Sequence, residues 1–300
     1  MLLTEFLKSG IAALESLYPT AEARTIVLML CEAKIGTKNY THIVEPNFEI
    51  TPDQLPGLQS DMERLVKGEP IQYVIGKTEF CGLTFNVNRS VLIPRPETEL
   101  LCREAIKIGS RIQRMRVAYG KAAIPVRILD LCTGSGNIAW TLALSIPGAK
   151  VVGVDVSDEA LQVASTQPFE ELLEEKSAIA PEFVHADILN TDQEFDHGKF
   201  DLILSNPPYI MNSERPVLRQ NVVDYEPELA LFVPDEDPLK FYKAIAKWTE
   251  KYLAEDGKGL TEINEVLGQA TLELFKTSGY ASSEIIKDFY DKNRFILFFK

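Results

Sequence analysis

The chain has 300 residues, 45% of them hydrophobic, and its 44 acidic side chains against 31 basic ones leave a formal net charge of −13. That length is comfortable for two domains and supplies ample core material. The acidic balance argues against a generic nucleic-acid binder, which draws affinity from Lys and Arg set against phosphates. Cys31, Cys81, Cys102 and Cys132 lack metal-ligand spacing and read as small thiols of a reducing compartment, so no metal is expected. The longest apolar run near the N-terminus, from Ile26 to Cys31, falls far short of the ~20 residues of a spanning helix. No membrane partner and a cytoplasmic location are therefore expected.

Residues 1–75 read as a helical domain. Leu3, Phe6, Leu7, Ile11, Leu14 and Leu17 recur at near-helical spacing until Pro19 and Thr20 interrupt them. A second helix is expected from Ala21 to about Lys34, stopping near Gly36. A third is expected to open with Thr51 as cap, Pro52 in first position and Gln54 reaching back, and to run towards Lys67, with Pro56-Gly57 weakening its start. This region holds no acid–base or metal cluster, so partner docking is its expected work.

Residues 76–94 read as a β-hairpin linker, with strands at 77–81 and 83–87 flanking Gly82. A helix is expected from Arg95–Glu99 through about Ile108. The run 111–125 contains Arg111, Arg114, Arg116 and Lys121 without an acid and reads as a solvated linker in preference to a local basic contact. Residues 95–300 alternate strands and helices, with strands near 126–131, 150–154, 182–186, 200–205, 258–263, 283–289 and 294–299. Such alternation implies an α/β fold with a mostly parallel sheet covered on both faces. The last two strands are separated only by Asp291-Lys292-Asn293, so they should be antiparallel. The stretch 211–238 is too long for a plain connection and reads as a lid.

The chemistry sits at the expected strand ends. The first strand carries Asp130 and runs into the turn Cys132-Thr133-Gly134-Ser135-Gly136, where glycines allow close backbone approach to a ligand. Asp155 ends the next strand, 21 residues after Gly134, where a carboxylate can accept from a ribose diol. Asp187 ends the third, placed to accept from an adenine amino group, with Ile188 beside the ring. The third glycine of a dinucleotide fingerprint is missing, since Asn137, Ile138 and Ala139 follow Gly136. A carboxylate at Asp130 would repel a pyrophosphate but suits an ammonium. S-adenosyl-L-methionine has that ammonium, a ribose and no phosphate, so it is favoured over a nicotinamide dinucleotide, with S-adenosyl-L-homocysteine as the product.

The fourth strand ends in Asn206-Pro207-Pro208-Tyr209. Two prolines fix two φ angles and remove two backbone donors, leaving an acceptor-rich, stiff loop. The Asn206 side-chain oxygen and the Pro207 carbonyl suit the two N–H bonds of a planar amino group, and Tyr209 suits its face. Asn206, Pro207 and Tyr209 are the expected catalytic residues, Asn206, Pro207, Pro208 and Tyr209 the expected substrate site, and Asn206 is also an expected cofactor contact. If acceptance is the whole role of Asn206, Asn206→Asp should be milder than Asn206→Ala. His42, His185 and His197 read as structural or surface residues, and no general base is expected.

Several stretches together resemble the peptide chain release factor glutamine N5-methyltransferases, the PrmC/HemK group. They are Gly68-Glu69-Pro70-Ile71-Gln72-Tyr73, Leu92-Ile93-Pro94-Arg95-Pro96-Glu97-Thr98-Glu99, Asp130 to Gly136, Phe200 to Ile210, Tyr225-Glu226-Pro227, and Asp288-Phe289-Tyr290 with Asn293-Arg294. The resemblance runs from about residue 60 to the C-terminus. It implies a class I S-adenosylmethionine-dependent methyltransferase domain, Rossmann-like, with seven strands in the order 3-2-1-4-5-7-6. The substrate it implies is the glutamine of the Gly-Gly-Gln loop of peptide chain release factors, with no direct nucleic-acid binding. Asn-Pro-Pro-Tyr alone is shared with adenine-N6 methyltransferases of DNA or RNA, which are the alternative. A non-enzymatic nucleotide-sensing module is a third reading, against which the intact 206–209 loop speaks. Asn264 stands where the family tends to carry Gly, and Asn tolerates unusual backbone angles better than most residues.

Overall fold

The computed structural model describes residues 1–280, 282–288 and 290–299. The chain forms two compact units, one of Met1–Lys77 with Leu218–Tyr225 and one of Thr78–Val217 with Glu226–Lys300.

The first unit is helical. Helices Leu3–Leu14, Thr20–Ile35 and Leu55–Val66 bury Leu3, Phe6, Leu7 and Leu14 against Val27, Leu30, Leu58 and Leu65. The third helix starts at Leu55, not at Pro52. Thr51 and Gln54 do exchange the expected capping bonds, at 3.1 and 3.3 Å, but these close a turn ahead of the helix. Pro56 is the reason: with no N–H and a ring that clashes with the preceding turn, it is tolerated only in a first turn. The segment Leu218–Tyr225 belongs to this unit, through an Arg219–Glu22 ion pair at 2.6 Å and a 2.8 Å bond from the Tyr225 hydroxyl to the Lys67 carbonyl.

A hairpin of β1 (Lys77–Phe80) and β2 (Leu83–Asn86) follows, all but its first residue within the second unit. The helix that follows spans Thr98–Ala118, well past Ile108. The basic run is therefore not a linker up to Ala118. Arg116 donates to both carboxylate oxygens of Asp201 at 3.0 and 2.6 Å, and to the Pro125 carbonyl at 2.6 Å. Its acid is supplied from 85 positions away, which the local sequence does not show.

The remaining strands are β3 (Arg127–Leu131), β4 (Lys150–Asp155), β5 (Glu182–His185), β6 (Phe200–Ser205), β7 (Ile210–Met211), β8 (Phe232–Val233), β9 (Leu253–Glu262), β10 (Ser282–Lys287) and β11 (Asn293–Phe299). Seven of them form one sheet in the order β10-β11-β9-β6-β3-β4-β5. Numbered by their sequence order within that sheet and read from β5, this is 3-2-1-4-5-7-6, as expected. The strands β5, β4, β3, β6 and β9 run parallel, while β11 is antiparallel to both β9 and β10. β9 starts at Leu253 rather than near 258, through a register shift between Phe200 and Leu202 on its neighbour. The expected strand at 283–289 is β10, and Phe289 lies outside the described residues.

Side chains alternate across the sheet, as a strand requires. Leu129, Leu131 and Ile203 enter one core with Phe241, Tyr242 and Trp248. Ile128, Leu202 and Leu204 enter the other with Leu101, Ala105, Ala139 and Leu142. The stretch 211–238 is structured: β7 pairs with β8, Asp235 accepts from Ser213, and Arg215 pairs with Glu228 at 2.7 Å while lying over the Phe232 ring. Among the described residues no helix is long and apolar enough to cross a membrane.

Candidate active site

The strand order reverses between β4 and β6 on either side of β3, and ligands of such sheets bind beyond the carboxyl ends of the strands at that point. A cavity of about 120 Å³ opens there. Its wall includes Cys132, Thr133, Gly134 and Ser135 after β3, Asp155 at the end of β4, Asp187 and Ile188 after β5, and Asn206 and Pro208 after β6. Asp130, Gly136, Pro207 and Tyr209 are not in the wall.

The turn after β3 is held close to β4. The Thr133 N–H donates to the Val154 carbonyl at 2.9 Å. A Cβ on Gly153 would lie 2.8 Å from the Thr133 hydroxyl and the Phe183 ring, so β4 must be bare at that point. Gly136, at φ 76°, serves packing rather than ligand approach, since a Cβ there would meet Phe183 and Trp140 at 3.0 Å. Gly134, at φ 54°, has open space where a Cβ would stand.

Asp155 is preorganised. Its two oxygens accept from the Gly134 N–H at 2.9 Å and the Ser157 N–H at 3.1 Å. Each oxygen keeps a further lone pair for a hydroxyl, which fits a ribose diol. Burial pushes the Asp155 carboxyl up, and these backbone bonds push it back. Asp187 is shaped by its own turn, accepting from the Leu189 N–H at 2.9 Å. Ile188 is buried, and its carbonyl accepts from the Trp248 indole at 3.0 Å.

Asp130 lies fully buried beneath the turn. One oxygen accepts from the Thr133 hydroxyl at 2.6 Å; the other has no hydrogen-bond partner, although the Ala139 N–H lies towards the carboxyl group. Asp130 thus reaches the cavity through Thr133 and not with its own oxygens, unlike the direct ammonium contact expected from the sequence. Burial raises its pKa to about 7.

On the β6 side, Asn206 donates through Nδ2 to the Thr98 hydroxyl at 3.1 Å. Thr98 donates to Glu262 Oε2 at 2.6 Å, and Tyr209 donates through its hydroxyl to Glu262 Oε1 at 3.0 Å. Burial pushes the Glu262 carboxyl up, while Thr98, Tyr209 and the charge of Arg294 pull it down. Asn264 donates to the Tyr209 carbonyl at 3.1 Å and to Glu214 at 2.9 Å. Its φ of −63° is ordinary, so Asn264 needs no unusual backbone angle. At the rim Arg95 pairs with Glu226 at 2.6 Å, and Glu226 also accepts from the Ile93 N–H at 3.2 Å. Arg95, Thr98 and Pro227 belong to the wall, but sequence reasoning gave none of them a role. The signal available was their place in the 92–99 and 225–227 segments. None of the three histidines lines the cavity.

Comparison with known proteins decides the family. Residues 125–277 match the model of a methyltransferase domain, and residues 5–76 that of the PrmC N-terminal domain. The release factor glutamine methyltransferase of Flavobacterium psychrophilum is 35% identical, covering 99% of this chain and 98% of its own. That of Bacteroides thetaiotaomicron is 36% identical over 95% of both chains. The chain belongs to the release factor glutamine methyltransferase family. The solved hMettl16 catalytic domain, in complex with MAT2A 3'UTR hairpin 6, aligns at a TM-score of 0.52 and 14% identity, covering 83% of this chain and 82% of its own. At that identity the likeness is one of fold, the class I methyltransferase fold.

In this family member the buried Asp130 predicts a pH effect on stability. Its carboxyl holds a proton in the folded state up to about 7, while the unfolded chain releases it near the ordinary carboxylate value of 3.8. Between those limits the folded state binds more protons, so stability falls as pH rises, by up to about 1.4 kcal/mol per pH unit. Asp130→Asn keeps an acceptor for Thr133 and cannot ionise. Denaturant unfolding of both proteins without cofactor at pH 5 and pH 8 should show the variant gaining on wild type at pH 8. A constant difference across that range means that Asp130 is ionised throughout.

Proposed function

We propose that the protein transfers a methyl group from S-adenosylmethionine to the side-chain amide nitrogen of the glutamine in the Gly-Gly-Gln loop of peptide chain release factors, leaving S-adenosylhomocysteine. The observation that carries this reading is the shared cavity, where Asn206 stands at one strand end and Asp155 with the Gly134 turn at two others.

S-adenosylmethionine supplies an electrophilic methyl group on a sulfonium sulfur. The chain's residues fit it: Asp155 for the ribose hydroxyls, Asp187 and Ile188 for the adenine, and Cys132, Thr133, Gly134 and Ser135 around the methionyl part. A carboxamide nitrogen is a poor nucleophile because its lone pair is delocalised, and positive charge grows on it during attack. The Asn206 side-chain oxygen accepts one of its two N–H bonds; the Pro207 carbonyl, assigned the other, is not itself in the cavity wall. Fixed acceptors of this kind gain strength as charge develops, which favours the transition state over the ground state. Pro207 and Pro208 keep the loop stiff, and Tyr209 is anchored by Glu262. Holding the nitrogen in line with the methyl–sulfur bond supplies further acceleration. The methylated nitrogen is acidic enough to lose its proton without a base from the chain.

Residues 1–75 dock the release factor, 76–94 link, and 95–300 perform the transfer. The work is cytoplasmic, with no membrane or direct nucleic-acid contact. Purified release factor incubated with labelled cofactor should take up label, and a factor with the loop glutamine changed to alanine should not. Label appearing instead in added DNA or RNA overturns the assignment in favour of adenine-N6 methylation.

A further inference from the structure

Glu262 stands outside the cavity wall, 1% exposed, yet it is bonded to both ends of the 206–209 loop: to Tyr209 directly and to Asn206 through Thr98. We propose that Glu262 is a positioning residue which, through the single proton of Thr98, dictates which end of the Asn206 amide faces the substrate. The inference rests on the reading of Asn206 as an acceptor.

An Asn side chain has two ends of nearly equal shape and opposite function: an oxygen that accepts and an NH2 that donates. Only the oxygen can serve an incoming amide NH2. An Asn turned the other way would present donors to donors, so the loop needs a device that prevents the flip. Thr98 is that device. Its hydroxyl has one proton to give. A carboxylate only accepts, and Glu262 Oε2 at 2.6 Å takes that proton. The Thr98 oxygen then has only lone pairs to offer, so Asn206 must turn its NH2 towards it, at 3.1 Å. Flipping the amide would set two oxygens against each other with no proton between them. The Asn206 oxygen is thereby left for the substrate.

The second oxygen of Glu262 accepts from the Tyr209 hydroxyl at 3.0 Å, so one buried carboxylate fixes the first and last residues of the loop. The polarity of the chain runs one way, from Asn206 through Thr98 to Glu262. A glutamine at 262 would break that rule, because its own NH2 could face Thr98, turn the hydroxyl towards Asn206 and stabilise the wrong amide orientation.

Single-turnover methylation of release factor at saturating cofactor tests this, with cofactor affinity measured by calorimetry and the melting temperature as a check on folding. Thr98→Val should slow transfer by about tenfold or more with cofactor affinity held, since the lost interaction acts on the reacting nitrogen. Thr98→Ser, which keeps the hydroxyl, should return the rate to within about threefold of wild type. Glu262→Gln, whose remaining oxygen still accepts from Tyr209, should also slow transfer, but add nothing in the Thr98→Val background, because residues acting through one another are not additive. Asn206→Ala serves as the reference. If it is slow while Thr98→Val and Glu262→Gln both transfer at the wild-type rate, the positioning role is wrong and the acceptor role stands. Full additivity of the two changes likewise rejects a path through Thr98. If Asn206→Ala is itself unimpaired, the acceptor role fails first. Should Thr98→Val not fold, the contrast between Thr98→Ser and Glu262→Gln decides: equal rates for the two overturn the proposal.

Discussion

Asn206→Ala should lower the single-turnover rate of release factor methylation by about 10²–10³, the usual loss when a preorganised transition-state group is removed. With cofactor and release factor saturating, binding is taken out of the measurement and the loss appears in the chemical step. A rate within threefold of wild type would make Asn206 a turn residue only. The structure also revises the expectation for Asn206→Asp. Acceptance alone would make that change mild. The Asn206 NH2, however, donates to a Thr98 hydroxyl whose proton is already given to Glu262. A second carboxylate at 206 would face an oxygen with nothing to donate, close to a buried acid. Asn206→Asp should therefore be at least as damaging as Asn206→Ala, and a milder effect would mean that the Thr98 proton points the other way.

The second large effect is on the cofactor. Asp155→Ala should weaken S-adenosylmethionine binding at least tenfold, because hydrogen bonds to a charged group contribute about 1.5–3 kcal/mol. The geometry adds to that figure. The same carboxylate anchors the Gly134 and Ser157 amides, so its removal also frees the turn after β3 that lines the cavity. Asp155→Asn, which keeps one acceptor oxygen, should fall between the two. Calorimetry on the folded variants measures this directly. Unchanged affinity, or tight binding of a nicotinamide dinucleotide, would remove Asp155 from the cofactor site.

Much of this was readable from the sequence, and what escaped did so for physical reasons. β3, β4 and β6 are apolar runs bounded by turn residues, so hydrophobic pattern alone placed them. The short turn at 291–293 left β10 and β11 no choice but to run antiparallel. The wall residues Gly134, Asp155, Asp187 and Asn206 were legible because each lies at or just beyond the carboxyl end of a strand and brings a backbone or side-chain polar group to one edge. The failures were long-range. Arg116 looked solvated because its acid, Asp201, comes from another strand. Thr98 and Glu262 meet across 164 positions and Arg95 and Glu226 across 131, so no local window shows that either pair exists. Pro52 misled because Thr51 and Gln54 make the right bonds in the wrong place: Pro56, four residues on, decides where the helix begins.

The helical unit draws on two stretches of chain, Met1–Lys77 and Leu218–Tyr225, and that bears on how such proteins can be recombined. A hybrid that joins the first 77 residues of one relative to the remainder of another would inherit mismatched halves of a single body. Arg219 and Tyr225 would arrive without the Glu22 and Lys67 they evolved beside. The natural crossover unit is therefore discontinuous, and a chimera meant to exchange the helical unit must carry the eight residues from the middle of the chain along with the N-terminal helices.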